Sequence, residues 1–535
     1  MLIDLNHADT NFTVSTDVCV VGGGAAGISL TRQLVRDGHQ VCLLESGGMD
    51  FEANTQSLYA GTNIGMPYYD LIDARLRFLG GTTNIWGGRC TPLDPIDFAQ
   101  RSWVAHSGWP ISMDTLRPHY HAAHEALGLG EYRYDKSLWE QLGEAPPFSS
   151  EYISTRFWRF DTTKERFNAS RCQDLFNNDN VTVVIHANVV QLQANPGASA
   201  LEHIVTSTLD GRRFNFRARF YILATGGIEN ARLLLASNNV ESEGIGNRHD
   251  LVGRYFMEHQ HGRAGRIKTD APYRLWSLFR KRKLRNSPPI APTIVASSAL
   301  QERDGLLNSA FTFKLQRPPE HGLLLNDRIY RALKHQLPPD RVRRRMWHVY
   351  RDVRGLIQRH IKPLIEPLRA RANTRKLYLM VRAEQAPNPD SRVQLSKEVD
   401  ALGMPKVNLD WRLSSQDKDT VAGVCKQLDV EFQHLGKGRI EPSQWLADPA
   451  PEWPVDPTVS KHPIGGYHHM GTTRMSDSPS QGVVDANCRV HDYANLYIAG
   501  SSVFPTGGWA NPTLTILAIT NRLAEHLNEK LASIN

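Results

Sequence analysis

The residues best suited to chemistry fall in two stretches more than four hundred positions apart. The first is Asp17-Val-Cys-Val-Val-Gly22-Gly-Gly24-Ala-Ala-Gly27, an apolar run ending in a glycine turn. Gly22 permits the tight turn, Gly24 lets the backbone approach a pyrophosphate, and Gly27 lets the next helix pack closely on its sheet. The helix predicted over Ile28 to Arg36 aims its N-terminus at the phosphates, where free N–H groups and the dipole favour an anion. A second strand follows, Gln40 to Glu45. Glu45 stands about twenty residues past the glycines, where a carboxylate accepts from a ribose 2′-OH. A lone glycine triplet is a weak signal. Strand, helix, second strand and acid in register predict a dinucleotide site. The second stretch holds His468-His469-Met-Gly-Thr-Thr-Arg-Met, then Gly500-Ser-Ser-Val-Phe-Pro, then Ala510-Asn511-Pro512-Thr513. An imidazole takes or gives a proton near neutral pH, although an isolated histidine is more often structural. Adjacent side chains point apart in strand and helix alike. Only one of His468 and His469 therefore faces a given reactant.

The elements that must position these residues read as α/β. Arg217 to Leu223 is an apolar strand running into Ala224-Thr225-Gly226-Gly227, and Leu496 to Ala499 is another running into Gly500-Ser501. Asn188-Val189-Val190 forms a short strand able to lie over an adenine, and Pro512 suits the first turn of a helix. A chain of 535 residues is long enough for two large folding units, or for one large domain with insertions. Its 41% hydrophobic and 22% charged residues place it among ordinary globular proteins. No basic segment followed by an apolar one opens the chain, so no signal peptide is expected. No run reaches the roughly 18 apolar residues of a spanning helix. Six cysteines lie scattered with no CxxC pair, which excludes a zinc site, an iron–sulfur site or a disulfide framework. The expectation is a cytoplasmic protein without a metal. The net charge of +7 concentrates in Arg280 to Arg285 and Arg341 to Lys376. No nucleic-acid reader motif accompanies it, so nucleic acid is excluded as a partner.

Several motifs stand in one order along the chain: Gly80-Gly-Thr-Thr-Asn84-Ile-Trp86-Gly-Gly88, Ser107-Gly-Trp-Pro-Ile111, Gly253-Arg-Tyr-Phe-Met-Glu-His259, His468-His-Met-Gly-Thr472, Gly482-Val-Val-Asp485 and Asn511-Pro-Thr-Leu-Thr515. Together they resemble the glucose–methanol–choline (GMC) oxidoreductase family, nearest the branch of pyranose oxidase and bacterial sugar or polyol dehydrogenases. The resemblance spans about 15 to 530 and thins between about 265 and 375. It implies an FAD enzyme that oxidises an alcohol, with the proton leaving to a base and the hydride to flavin N5. It implies a discontinuous, doubly wound FAD domain and a sheet-based substrate domain, whose sheet takes strands near 292–316, Lys376–Ala383 and Arg392–Leu395.

The resemblance also implies roles. His468 matches the family's catalytic histidine, the general base. Asn511 matches its partner position, where an amide orients the alcohol oxygen and stabilises developing charge. Pro512 and Thr513 open a helix whose N-terminus faces the pyrimidine edge of the flavin. Thr82, Asn84, Trp86 and Gly87 are expected beside the flavin, with Trp86 equally readable as core packing. Val189, Thr225, Gly226, Gly500 and Ser501 are expected along the rest of the cofactor. Some relatives attach FAD through a histidine in the 80–88 loop. Ile85 stands at that position here and the loop holds no histidine, so non-covalent FAD is expected. His259 and His261 read as structural, with His261 also placed to border the cavity, and Asp485 reads as a turn residue.

The expected units are 1–258, mainly FAD-binding with excursions into the substrate domain at about 100–175; 259–460, substrate-binding; and 461–535, a return to the FAD domain with the catalytic residues. A basic insertion at about 326–376 departs from the family. Met346, Trp347, Tyr350, Val353, Ile357, Ile361, Leu364 and Leu368 recur in it at near-helical spacing, and Pro363 and Pro367 limit the helix. One reading is a helical lid with its apolar face buried and its basic face solvated. The other is a docking surface for an anionic membrane, an electron carrier or an acidic glycan. The leading function is oxidation of a sugar, glycoside or polyol, with oxygen, a quinone or a carrier protein as acceptor. The alternatives are a lipid-like or aromatic alcohol oxidised near a membrane, and a flavin-binding partner protein without turnover.

Overall fold

The computed structural model describes residues 1–533 apart from 10–11, 149, 164, 285–286, 317, 319–340, 362–363, 366, 369–374, 450–452, 457–458 and 460–465. Val14–Val21 and Val41–Leu44 are apolar runs that pair in parallel, Val18 against Val41 and Val21 against Leu44. Val181–Ile185 and Leu2–Asp4 extend the sheet on one side. On the other side Arg213–Leu223 pairs with Val14–Val21, and its C-terminal half also pairs with Leu496–Ile498. An antiparallel meander, Asn188–Ala194 and Leu201–Ser207, completes eight strands. Parallel strands covered on both faces need continuous apolar runs. Helix Ala25–Arg36 supplies part of that cover through Ile28, Leu30 and Leu34, and packs against the C-terminal helix Thr513–Ala532. Val21, Leu44, Leu223 and Ile498 end side by side. The turns that follow them therefore gather at one edge, where open α/β sheets bind ligands.

A second sheet is antiparallel throughout. Its order is Arg439–Pro442, His261–Lys268, Lys376–Arg382, Ala310–Gln316, Ser287–Ala296, Ile153–Phe160 and Arg89–Cys90, with Arg282–Leu284 beside Ser287–Ala296. Helix Ser415–His434 begins at a Ser414/Asp417 capping box and buries Val421, Val424, Leu428 and Phe432 in the core of this sheet. The region 292–316 is two strands separated by the helix Ser298–Asp304, which Ser297 caps.

Two expectations need correction. Arg392–Val399 is not part of the large sheet; it pairs with Pro405–Asp410, which pairs with Gly61–Asn63. Pro387 and Pro389 lack the N–H that a ladder needs, so the chain leaves the large sheet after Arg382. The insertion also departs from the lid with a buried apolar face. Helix Arg341–Leu356 continues into a wider turn over Ile357–Ile361. It turns Met346, Val349, Val353 and Leu356 outward, each at least 50% exposed, and buries Trp347. Ile357, Ile361, Leu364 and Leu368 are exposed as well. The inner face is ionic: Arg344 bonds Asp50 and Glu165 at 2.5 and 2.8 Å, and His348 reaches Glu165 at 3.0 Å. The His348 hydrogen bond is foremost in holding Glu165 down to about 2. Residues 326–340 and Pro363 of the insertion lie outside the described residues.

Candidate active site

The turns at the sheet edge enclose a cleft. Gly22, Gly24, Glu45, Thr82, Val189, Thr225, Gly226, Gly500 and Ser501 line it. Its shape depends on missing side chains. Gly22 takes φ +110°, and a Cβ there would stand 2.6 Å from the Ala224 carbonyl oxygen. At Gly24 a Cβ would meet nothing within 4 Å, which leaves the path over the turn open. Gly27 lines no part of the cleft, but a Cβ there would sit 1.9 Å from the Gly22 carbonyl oxygen, so helix and turn touch through it. The Glu45 carboxylate accepts from the Gly23 and Gly47 N–H groups, both at 2.8 Å. Burial pushes Glu45 upward against those bonds.

Asn84, Trp86, Gly87, Pro512 and Thr513 do not line this cleft. Asn84 is buried, and its Nδ2 donates to the carbonyls of Leu79 and Gly81, which braces the glycine loop from behind. Trp86 packs on the main core, and Gly87 is exposed. Pro512 precedes the helix that Thr513 begins, and Ile516 of that helix is the one that reaches the cleft. Asp485 accepts from the N–H groups of Asn487 and Arg489, as a turn residue does.

A polar wall of the cleft was not foreseen from sequence. Arg75 and Arg77 stack on the Tyr59 ring at 4.1 and 4.8 Å. Arg75 also bonds Glu229 at 2.7 Å, and Arg232 bridges Glu229 and Asp400. Burial works to raise the Glu229 carboxyl, but Arg232, Arg75 and Arg77 hold it down to about 2. The pair Arg75-x-Arg77 before the glycine loop is the signal in the sequence.

The second feature is a short antiparallel ladder. Met257 and Met470 exchange both backbone hydrogen bonds, at 3.0 and 3.1 Å. That register sets His259 opposite His468 on one face, and Glu258 opposite His469 on the other. His469 accordingly lines the dinucleotide cleft, while His468 turns to His259 and Asn511. The His259 and His468 Nδ1 atoms lie 2.8 Å apart. His259 Nε2 is 2.8 Å from the Gly508 carbonyl oxygen, and Asn511 Nδ2 is 3.2 Å from His468 Nε2. Asn511 Oδ1 is buried without a hydrogen-bond partner. Glu258 accepts from Tyr68 and from the His468 and His259 N–H groups, and burial pushes it up to about 8.

Burial also keeps these imidazoles neutral. It lowers His468 well below the ordinary value, helped by the neighbouring His259 and Arg382. It lowers His259 to about 4 and His469 to about 3, with Arg382 and Arg75 as the respective charged neighbours. The ladder is tied to the cleft as well. Thr472 Oγ1 donates to Gly227, and Ser501 Oγ donates to the His469 carbonyl at 2.7 Å. Behind Gly508, Glu384 pairs with Arg101 at 2.7 Å, both fully buried. Among the described residues no group of three or more metal-ligating side chains gathers.

A glycine-turned dinucleotide cleft tied to a neutral histidine beside a buried amide fits a dinucleotide-dependent oxidoreductase. Comparison with known proteins agrees. Residues 387–520 match the family described as GMC oxidoreductase, and residues 17–245 match FAD dependent oxidoreductase. The 6'''-hydroxyparomomycin C oxidase of Streptomyces lividus is 27% identical over 97% of this chain and 92% of its own. The fructose dehydrogenase large subunit of Gluconobacter japonicus is 23% identical over 96% and 98%. A fungal aryl-alcohol oxidase structure shares the fold with a TM-score of 0.56 at 14% identity, over 97% of this chain and 99% of that one. Over residues 387–520 the chain is similar to the GMC oxidoreductase family, and it is an FAD-dependent alcohol oxidoreductase. The open path over Gly24 and the acceptor at Glu45 fit the pyrophosphate and ribose of FAD.

Proposed function

We propose that the protein oxidises a CH–OH group of a sugar, glycoside or polyol to a carbonyl, with His468 as general base and Asn511 as the group that orients the alcohol. The observation that carries this reading is the bond from Asn511 Nδ2 to His468 Nε2 at 3.2 Å, beside a histidine that burial keeps neutral. The substrate O–H breaks as its proton goes to His468 Nε2. The Asn511 amide donates to the oxygen that gains charge. Bound FAD supplies the acceptor for the hydride that leaves the carbon. The cofactor is held by Gly22, Gly24, Glu45, Thr82, Val189, Thr225, Gly226, Gly500 and Ser501. It is held without a covalent bond, since Ile85 replaces the histidine that such a bond needs in the 80–88 loop. Residues 1–258, with excursions into the substrate unit at about 100–175, and 461–535 form the FAD-binding unit, and 259–460 the substrate unit.

The substrate class is supported by the names of relatives aligned over nearly the whole chain. They include a hydroxyparomomycin oxidase, a fructose dehydrogenase subunit and a 2-methyl-1,2-propanediol dehydrogenase. The acceptor is oxygen, a quinone or a carrier protein. The outward apolar stripe of Val342, Met346, Val349 and Val353, in a helix with a single acid among its arginines, supports peripheral contact with an anionic membrane. Co-flotation with phosphatidylglycerol vesicles but not with phosphatidylcholine vesicles checks that contact. Six buried, unpaired cysteines support a reducing, cytoplasmic setting. No helix among the described residues is long and apolar enough to cross a membrane.

The test is the visible flavin spectrum of the purified protein, recorded anaerobically while sugars, glycosides, polyols and aromatic alcohols are added. Bleaching by polyhydroxylated compounds, lost in His468→Ala, is expected. Bleaching only by aromatic or lipid-like alcohols would move the substrate class. Unchanged bleaching in His468→Ala would remove the base. Admitting air then separates an oxidase from a dehydrogenase.

A further inference from the structure

We infer that His259 is a positioning residue that fixes the tautomer of His468, leaving the lone pair on Nε2 where the alcohol proton must arrive. The inference rests on the reading of His468 as the base. Its argument is a count of hydrogens along one chain of contacts. The Gly508 carbonyl can only accept, so His259 Nε2, at 2.8 Å, carries a hydrogen. His259 is buried to 1% exposure and stays neutral near pH 7, so its Nδ1 carries none. The contact of 2.8 Å between the two Nδ1 atoms then requires the hydrogen to sit on His468 Nδ1. His468 is neutral too, and so its Nε2 is bare. The Asn511 amide hydrogen on that atom completes the chain, and Asn511 Oδ1 stays unpartnered on the same side.

The frame that sets this chain is rigid. The Met257–Met470 bridge places the two rings opposite each other across the ladder, edge to face, with their planes 76° apart. Gly508 takes φ +51°, its N–H lies 3.3 Å from the buried Glu384, and a Cβ there would press within 2.5 Å of Asp97 Oδ2. The carbonyl that orders the hydrogens is thus itself held. Without an acceptor at the His259 position, an imidazole can carry its hydrogen on either nitrogen, and the hydrogen on Nε2 blocks proton abstraction. An orienting acceptor on the far nitrogen of a catalytic histidine acts in this way in serine proteases.

Leucine and asparagine at position 259 separate tautomer control from packing. They have nearly the same shape, but asparagine sets an amide oxygen where Nδ1 stood. His259→Leu holoenzyme is expected to lose about 100-fold in the rate of flavin reduction by a bleaching alcohol, within the range of a positioned base. His259→Asn is expected to stay within about fivefold of the natural protein, since its oxygen replaces the acceptor. The second readout is the 15N spectrum of histidine-labelled holoenzyme, with the His468 signals identified by their absence in His468→Ala. A protonated Nδ1 and a bare Nε2 are expected in the natural protein. A protonated Nε2 would overturn the inference without any variant at 259. So would equal rates in His259→Leu and His259→Asn while His468→Ala is inactive. Flavin reduction at the natural rate in His468→Ala would instead remove the reading of the base on which the inference stands.

Discussion

The dinucleotide cleft and the histidine ladder are built by opposite means. The glycine turn of the cleft works through backbone: Gly22, Gly24 and, behind it, Gly27 serve by what they lack, and Glu45 lies 22 positions from Gly23, one of the two residues whose N–H it accepts. The ladder is mostly side chains, and the His259–His468 contact joins positions 209 apart. The cleft fails when an atom is added. The ladder fails when an acceptor is removed. Cofactor binding and proton transfer should therefore separate cleanly under substitution.

The largest effect tests that separation from the ladder side. His468→Ala is expected to slow flavin reduction by about 10²–10⁴-fold with bound FAD retained; stopped-flow bleaching and the protein-to-flavin absorbance ratio measure the two parts. Loss of FAD in this variant would merge the two regions. Next is the ion pair beneath the ladder. Arg101→Met leaves Glu384 as a buried charge without its partner, and unfolding in urea should report a loss of about 3–5 kcal/mol. From the cleft side, Gly27→Ala forces a Cβ against the Gly22 carbonyl, at a cost of about 1–3 kcal/mol. Its expected phenotype is the reverse of His468→Ala: protein that elutes without flavin, and whose remaining flavin-bound fraction is reduced at the natural rate.

A smaller effect is a pH dependence. His259 has a folded value near 4, below its unfolded value near 6.5. Its neutral burial therefore contributes stability that is full above pH 6.5 and is lost as the pH falls toward 4. The stability difference between the natural protein and His259→Asn should shrink by about 1.4 kcal/mol per pH unit through that window. A constant difference would mean that the ladder does not hold His259 neutral. The smallest effect lies in neither region. Met346→Glu, on the exposed stripe, should change the unfolding free energy by less than about 0.5 kcal/mol and leave FAD content alone.

Legibility in the sequence followed the same division. Gly22 to Glu45 was readable because each signal lies within one strand–turn–helix–strand unit. The motif at His468 and the position of Asn511 were readable only through resemblance, because a histidine in isolation carries no partner in its local sequence. His259 read as structural, and nothing near it in the chain points to His468. Asn84 was expected beside the flavin, and in the structure it braces the glycine loop through two carbonyls. A buried asparagine in a glycine loop looks the same from sequence in either role. Arg392–Val399 read as a strand correctly, but its sheet depended on which edge the chain reached after two prolines.

The insertion shows most plainly where pattern and placement part. Its spacing determined an amphipathic helix, and a helix is present over Arg341–Leu356. Periodicity says which residues share a face and nothing about which way the face turns. Asp50 and Glu165, brought together by the fold, captured Arg344 and His348 and turned the apolar stripe outward. By itself the sequence determined the dinucleotide unit, the α/β class and the family, because those depend on local backbone demands and ordered motifs. The tertiary structure alone decided which histidine meets which, where the hydrogen sits on His468, and which face of the insertion meets solvent. Those depend on contacts between distant segments, and their hydrogen-bond directions exist only once the register between the segments is set.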